Sequence, residues 1–259
     1  MVKPKKITQD LCEFISGLNL DKIPTSVVDR ASLLIADSIG VAVRARSEAE
    51  STPSLIESIA RMGLNHGEGS VFSDSGKYSY PAAALINGTL IHSLDFDDTH
   101  IEATVHPSAP VVAAAIAAGQ MTAATGSDVL IGVIAGYEIM CRLGKALNPV
   151  DHYDRGFHPT ATTGSFGATV AASRILGLTK NQIEMALGIC LSQVSGSMQF
   201  LENSAWTKRF QVGNAAMTGV IASNLAASGF VGAAHAIEGK SGFLSSYSPN
   251  PNLDLATQN

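Results

Sequence analysis

The chain has 259 residues, 46% of them apolar and 15% charged, with a formal net charge of −5. That length and composition suit one large or two small folded domains with a substantial core and exclude a disordered chain. The acidic balance gives no electrostatic reason to bind nucleic acid, no apolar run is long enough to span a bilayer, and Cys12, Cys141 and Cys190 lack the spacing of a zinc, iron–sulfur or disulfide framework. The basic start, Met1 to Lys6, leads into a mixed segment with Asp10 and Glu13 and lacks the apolar centre of a signal peptide, so a reduced, cytoplasmic setting is expected.

In chain order, helix signals dominate. Thr8 is expected to cap a helix through Leu11, Phe14 and Ile15. Pro24 and Thr25 open a second, with Val27, Val28, Ala31, Leu34, Ile35 and Ile39 at helical spacing. Thr52 and Pro53 read as a cap followed by a first-turn proline. Ser70 to Ser73 is a short extended piece before a turn at Gly76. Further helices are expected from Pro81 to Leu94, around Pro110 to Thr122, from a Ser127 cap through Leu143, over Ala161 to Ala172, from a Thr179 cap through Gln193, and over Lys208 to Ser228. Ala, Gly and Ser recur along them and permit close helix approach, so the expected class is all-α, a compact multi-helix domain over residues 1–247. Residues 248–259 read as a turn-rich tail.

Chemistry concentrates in Leu94-Asp95-Phe96-Asp97-Asp98-Thr99-His100, followed by Val105-His106-Pro107-Ser108. Four carboxylates (Asp95, Asp97, Asp98, Glu102) and two imidazoles fall between two apolar, alanine-rich stretches. Desolvating so many ionisable groups is costly unless they pair, bind a ligand or move protons. Three close aspartates repel, so one is expected to have a raised pKa unless cations compensate. If the preceding helix continued, Asp95, Asp98 and Thr99 would share a face. A solvated acidic loop is the plain alternative. Magnesium held by an aspartate-rich motif is another, but no second aspartate cluster follows on a later helix, and an EF-hand is excluded by His100 where its glycine belongs.

Three further clusters stand out. Asp151 to Thr160 reads as a loop, and its His158-Pro159 repeats the His106-Pro107 pattern before a helix, delivering a second imidazole at a helix start. Lys208 and Arg209 open a long helix, where the dipole disfavours cations, so a carboxylate partner is expected. Gly239-Lys240-Ser241 lacks the earlier glycine and the strand of a P-loop, so nucleotide binding there is rejected.

Taken together, these segments resemble the MmgE/PrpD family. The resemblance rests on Ser93 to Thr99 with His106-Pro107-Ser108, on Gly156-Phe157-His158-Pro159, on Thr207-Lys208-Arg209 with Gly213-Asn214-Ala215-Ala216, and on Gly239 to Leu244. The family includes 2-methylcitrate dehydratase, cis-aconitate decarboxylase and an iminodisuccinate epimerase. The resemblance implies a helical domain joined to a smaller α+β lid, which this chain is expected to lack, its tail falling at the junction. It implies a metal-independent, cofactor-free lyase acting on a small di- or tricarboxylate through a carbanion beside a carboxylate, working as a homodimer. Carried over, Asp95, His106, His158 and Lys208 are the expected catalytic residues, and Thr99, Arg209, His158 and Lys208 the expected substrate contacts. An epimerase of a dicarboxylate, and a non-catalytic helical remnant that dimerises without a lid, remain the alternatives.

Overall fold

The structure is a computed structural model and describes residues 6–258, so Met1 to Lys5 of the basic start lie outside the described residues. Its helices are α1 (Ile7–Gly17), α2 (Thr25–Glu48) and α3 (Thr52–Arg61), then, after a two-strand antiparallel ribbon, β1 (Gly69–Ser70) on β2 (Lys77–Tyr78), α4 (Tyr80–Ile91), α5 (Ser108–Thr122), α6 (Gly126–Ala146), α7 (Pro149–Asp154), α8 (Pro159–Ile175), α9 (Lys180–Leu191), α10 (Thr207–Ala227) and α11 (Phe243–Tyr247). The fold is mainly helical, as the sequence predicts.

Most departures from the sequence reading are local. Thr8 is the second residue of α1, and its buried hydroxyl bonds Glu238 instead of capping. Thr125, not Ser127, caps α6 in a reciprocal box with Asp128, because its hydroxyl is the one placed to meet the third helical N–H. Thr179 caps α9 as expected, paired with Gln182. Ser51 precedes α3, and Thr52 is already helical. Residues 149–154, within the stretch read as a loop, form α7 with Pro149 in its first turn.

The departure with chemical consequence is at α4, which stops at Ile91. Ser93 Oγ donates to Thr89 O (2.6 Å) and Ser93 N to Leu90 O (3.1 Å), a tightened last turn. Asp95 then takes a left-handed φ of 58°. Asp95, Asp98 and Thr99 therefore do not share a helix face.

Three helices form the buried centre. Every residue of α8 except Arg174 is buried, as is α4 from Ala82 to Ile91 and most of α5. Among the hydroxyls buried in α8, Thr163 donates to Pro159 O (2.7 Å), Ser165 to Ala161 O (3.0 Å) and Thr169 to Ser165 O (2.7 Å) within the helix, whereas Ser173 meets Ser223 of α10 (2.9 Å) and Thr160 accepts from His106 N (3.1 Å). Small residues then allow backbone-close crossings. A Cβ on Gly213 of α10 would stand 2.1 Å from Thr89 Oγ1 and 2.2 Å from Leu85 O of α4. One on Gly219 would stand 2.4 Å from the Ala168 carbonyl carbon of α8. The tail is folded against α6: Asn252 N donates to Ala146 O (2.7 Å), and Ala256 is fully buried.

Because the atoms facing Gly213 include backbone, Gly213→Ala should force α10 away from α4 and lower stability by about 1–3 kcal/mol, the usual cost of overpacking. The check is a urea unfolding midpoint, with Gly126→Ala, where a Cβ meets nothing within 4 Å, unchanged or slightly raised.

Candidate active site

The segment from His92 to Pro107 joins α4 to α5 without regular structure, apart from an antiparallel bridge between His100 and Val105. Its first anchor is internal: His92 Nδ1 and Asp97 Oδ2 lie 2.8 Å apart, both side chains fully buried. Its second anchor is Asp98, whose Oδ1 accepts from Ser108 N at the start of α5 (3.0 Å) and whose Oδ2 accepts from Tyr137 OH (3.1 Å). A carboxylate there also complements the helix dipole. Its third is Lys208, in the first turn of α10, whose Nζ lies 2.6 Å from Asp95 Oδ1. This ion pair is the carboxylate partner that two cations at a helix start demand.

The three aspartates thus meet three different fates. Burial pushes the Asp95 carboxyl up, but the hydrogen bond and charge of Lys208 outweigh it and hold Asp95 below the ordinary range. Asp97 meets the buried His92 ring at 2.8 Å. Asp98 is raised, chiefly by burial, against the opposing bonds from Ser108 and Tyr137. It serves as a structural anchor behind the site.

Three imidazoles converge on this loop. The His92 ring lies 5.0 Å from that of His106 and 5.8 Å from that of His158, between centroids. In each, Nδ1 faces an acceptor. His92 faces the Asp97 carboxylate, and His106 faces Asp97 O (3.4 Å) and Asp97 Oδ1 (3.7 Å) with Thr99 Oγ1 at 3.4 Å. His158 faces Gln211 Oε1 (3.1 Å), an amide oriented by its own bond from Nε2 to Ser197 O (2.9 Å). Whenever one of these rings is neutral, such acceptors favour its proton on Nδ1 and leave Nε2 as the acceptor. His158, the residue before the first turn of α8, has its pKa driven down to about 3 by burial, with the neighbouring His92 adding to it. It is neutral across the physiological range. One ligand atom from each of His92, Asp95, Asp97 and His106 falls within 4.8 Å of the others, a grouping of the size that can hold a metal ion.

Residues 9–256 match the MmgE/PrpD N-terminal domain. The chain belongs to the MmgE/PrpD family. It is 34% identical over 235 residues to a cis-aconitate decarboxylase of Aspergillus terreus, covering 86% of this chain and 46% of that protein. It is 30% identical over 264 residues to the cis-aconitate decarboxylase of Mus musculus, covering 96% and 52%. The Homo sapiens protein of the same name is also 30% identical, over 254 residues, covering 95% and 52%. The chain spans about half the length of the curated relatives it matches. Among the described residues no helix is long and apolar enough to cross a membrane.

Within this MmgE/PrpD domain, Asp95, Thr99, His106, His158 and Lys208, singled out from the sequence, are brought into one cluster. Arg209 is directed elsewhere, with Nη1 3.4 Å from Ser51 Oγ at the start of α3. His152, noted beside His158, is structural: Nδ1 meets Tyr247 O (2.8 Å) and Nε2 meets Thr162 Oγ1 (2.9 Å), so both nitrogens are used. Two residues that hold the cluster together did not stand out from the sequence. His92 was passed over, although it directly follows a helix, Tyr80–Ile91, that carries no other acidic or basic side chain. Gln211, one turn beyond Lys208, gave no signal.

The depressed pKa of His158 has a definite consequence for stability. Between about 3 and the ordinary value of 6.5, the unfolded chain binds a proton that the folded chain refuses, so stability falls as pH drops through that window. Imidazole 15N NMR should find His158 neutral down to pH 4.5. His158→Gln should flatten the decline of the urea midpoint between pH 7 and 5, and titration of His158 near pH 6.5 would contradict this.

Proposed function

We propose that this chain carries the proton-transfer wall of a metal-independent lyase acting on a small di- or tricarboxylate, with decarboxylation of a cis-aconitate-type substrate as the first reaction. The observation that carries the reading is the Lys208–Asp95 pair, 2.6 Å apart, beside His106, whose Nδ1 is turned to the protein. The names of the relatives point to the same chemistry.

A substrate carboxylate competes with Asp95 for the Lys208 ammonium. When the carbon–carboxylate bond breaks, carbon dioxide leaves and the electron pair passes into the conjugated neighbouring carboxylate as an enolate. Lys208 then sits beside the developing negative charge, where a preorganised cation is worth most. A proton carried on His106 Nε2 is delivered to carbon. Thr99 Oγ1, 3.4 Å from His106 Nδ1, orients that ring or a substrate carboxylate. His158, being neutral, contributes a hydrogen-bonding partner and not a charge. Arg209 serves an outer carboxylate only by leaving Ser51.

Dehydration of a 2-methylcitrate-type substrate is the second reading, and one observation favours it. Asp95 is held ionised by Lys208, so a substrate that takes Lys208 releases a carboxylate base opposite an imidazole acid. Phe96 is 80% exposed, and Trp206 and Phe210 flank Lys208 half-exposed. Exposed apolar side chains next to Asp95 and Lys208 along the chain suit closure by a further surface that excludes water during the reaction. The resemblance adds a homodimeric, cytoplasmic protein to this reading, and sedimentation velocity checks the first.

The test is proton NMR in deuterated water with chelator present, offering cis-aconitate, 2-methylcitrate and iminodisuccinate in turn. Loss of carbon dioxide, loss of water and deuterium wash-in give distinct spectra. Asp95→Asn and His106→Gln should each lower turnover about 10²–10⁴-fold, the usual contribution of a positioned proton-transfer group. Near-normal turnover in Asp95→Asn removes it from the mechanism, and silence on all three substrates by the folded protein refutes the reading.

A further inference from the structure

Two buried polar atoms in this cluster have no hydrogen-bond partner: Asp97 Oδ1 and His92 Nε2. Buried polar atoms left unpaired are costly, and native proteins rarely leave them so without a reason. Asp97 Oδ1 is also 3.7 Å from His106 Nδ1, so the orphaned oxygen faces into the cluster. We propose that His92, Asp95, Asp97 and His106 form a binding site for a divalent transition-metal ion of the zinc type, and that occupation of this site switches off proton transfer.

The donor set selects the class of ion. Two imidazoles and two carboxylates are borderline nitrogen and oxygen ligands that suit zinc, whereas magnesium prefers oxygen ligands and retained waters. The magnesium motif weighed from the sequence relied on Asp98, which instead faces Ser108 and Tyr137, and it lacked His92. His92 Nδ1 and Asp97 Oδ2 already stand 2.8 Å apart, near the spacing of two ligand atoms on one ion, and the proton between them is released to solvent when the ion binds.

Closure requires a small movement. The four ligand atoms lie within 4.8 Å of one another, while zinc bonds of about 2.0–2.1 Å place tetrahedral ligand atoms about 3.4 Å apart. The buried pair, His92 and Asp97, is the fixed side. Asp95, with a side chain 58% exposed, and His106, at 23%, are free to swing inward, Asp95 leaving Lys208 as it does so. A divalent ion offers Asp95 more charge than one ammonium does. The inhibitory consequence rests on the function proposed above, because the ion takes Asp95 and His106, the two proton-transfer groups. The binding itself does not.

The experiment is zinc titration of the chelator-stripped chain by calorimetry, with bound metal counted after equilibrium dialysis and cobalt as a spectroscopic stand-in. One equivalent of zinc should bind, and cobalt should show the visible bands of a four-coordinate site. Asp97→Asn and His106→Gln should each weaken zinc at least tenfold, while His235→Gln, outside the cluster, should not. His106→Gln alters a partly exposed ring, so it reads the site even if Asp97→Asn fails to fold. Absence of stoichiometric zinc, or equal affinity in His106→Gln and the parent chain, overturns the proposal. Zinc bound at this site with undiminished turnover overturns the switch alone, and failure to find any turnover leaves the binding result standing.

Discussion

No side chain fits where α10 crosses α4, and the site depends on that constraint. Gly213 lies against Leu85 and Thr89 with no room for a Cβ. The two helix axes therefore approach as closely as backbones allow. Thr89 is three residues from His92, and Gly213 is five residues beyond Lys208. Fixing one crossing fixes the distance between the end of α4, where the acidic loop departs, and the start of α10, where the cation sits. The 2.6 Å contact between Lys208 and Asp95 follows from packing in the alanine- and glycine-rich centre. The buried hydroxyls of α8 extend the same logic, since Thr163, Ser165 and Thr169 are satisfied within their own helix and Ser173 by Ser223 of α10, so the helices meet without stranding these polar atoms.

On that frame the loop distributes its charge by environment. One carboxylate faces a cation, one an imidazole, and one a hydroxyl and a helix start. The identical side chains Asp95 and Asp98 therefore shift in opposite directions, one down and one up, the general means by which a fold separates acids from bases. The left-handed φ at Asp95 belongs to this economy. It turns the side chain out of the helical path and towards Lys208, a conformation that aspartate tolerates better than most residues.

Much of this was legible in the sequence, because the signals are local. Caps such as Thr179, first-turn prolines and small-residue stripes specify helices by short-range chemistry, and the misplaced starts at Thr8 and Ser127 differ from the observed ones by a residue or two. The excess of ionisable groups in an apolar context marked the loop, and the family resemblance marked His158 and Lys208. What was not legible depends on contacts across the fold. The end of α4 is set by Ser93 and by the pairing of His92 with Asp97, and nothing in a helical pattern announces that the chain will turn back to make that pair. Arg209 looks equivalent to Lys208 in sequence, yet one position along a helix rotates a side chain by about 100°, enough to send it to Ser51.

The imidazoles show how rigidity and chemistry are joined. Each of His92, His106 and His158 turns Nδ1 to the protein, and what remains is a set of Nε2 atoms held in place before any ligand arrives. Preorganisation of this kind removes the cost of orienting a base during reaction. If the wall acts as proposed above, the same preorganisation lets it serve several reactions. Loss of carbon dioxide, loss of water and inversion of a centre all pass through charge beside a carboxylate, so all need the cation and the proton carrier. On the proposed function they differ in what leaves, carbon dioxide, hydroxide or nothing, and in whether the proton carrier delivers a proton, removes one or does both. On that reading the choice falls to whatever holds the far side of the substrate, and the wall can stay unchanged while the reaction changes.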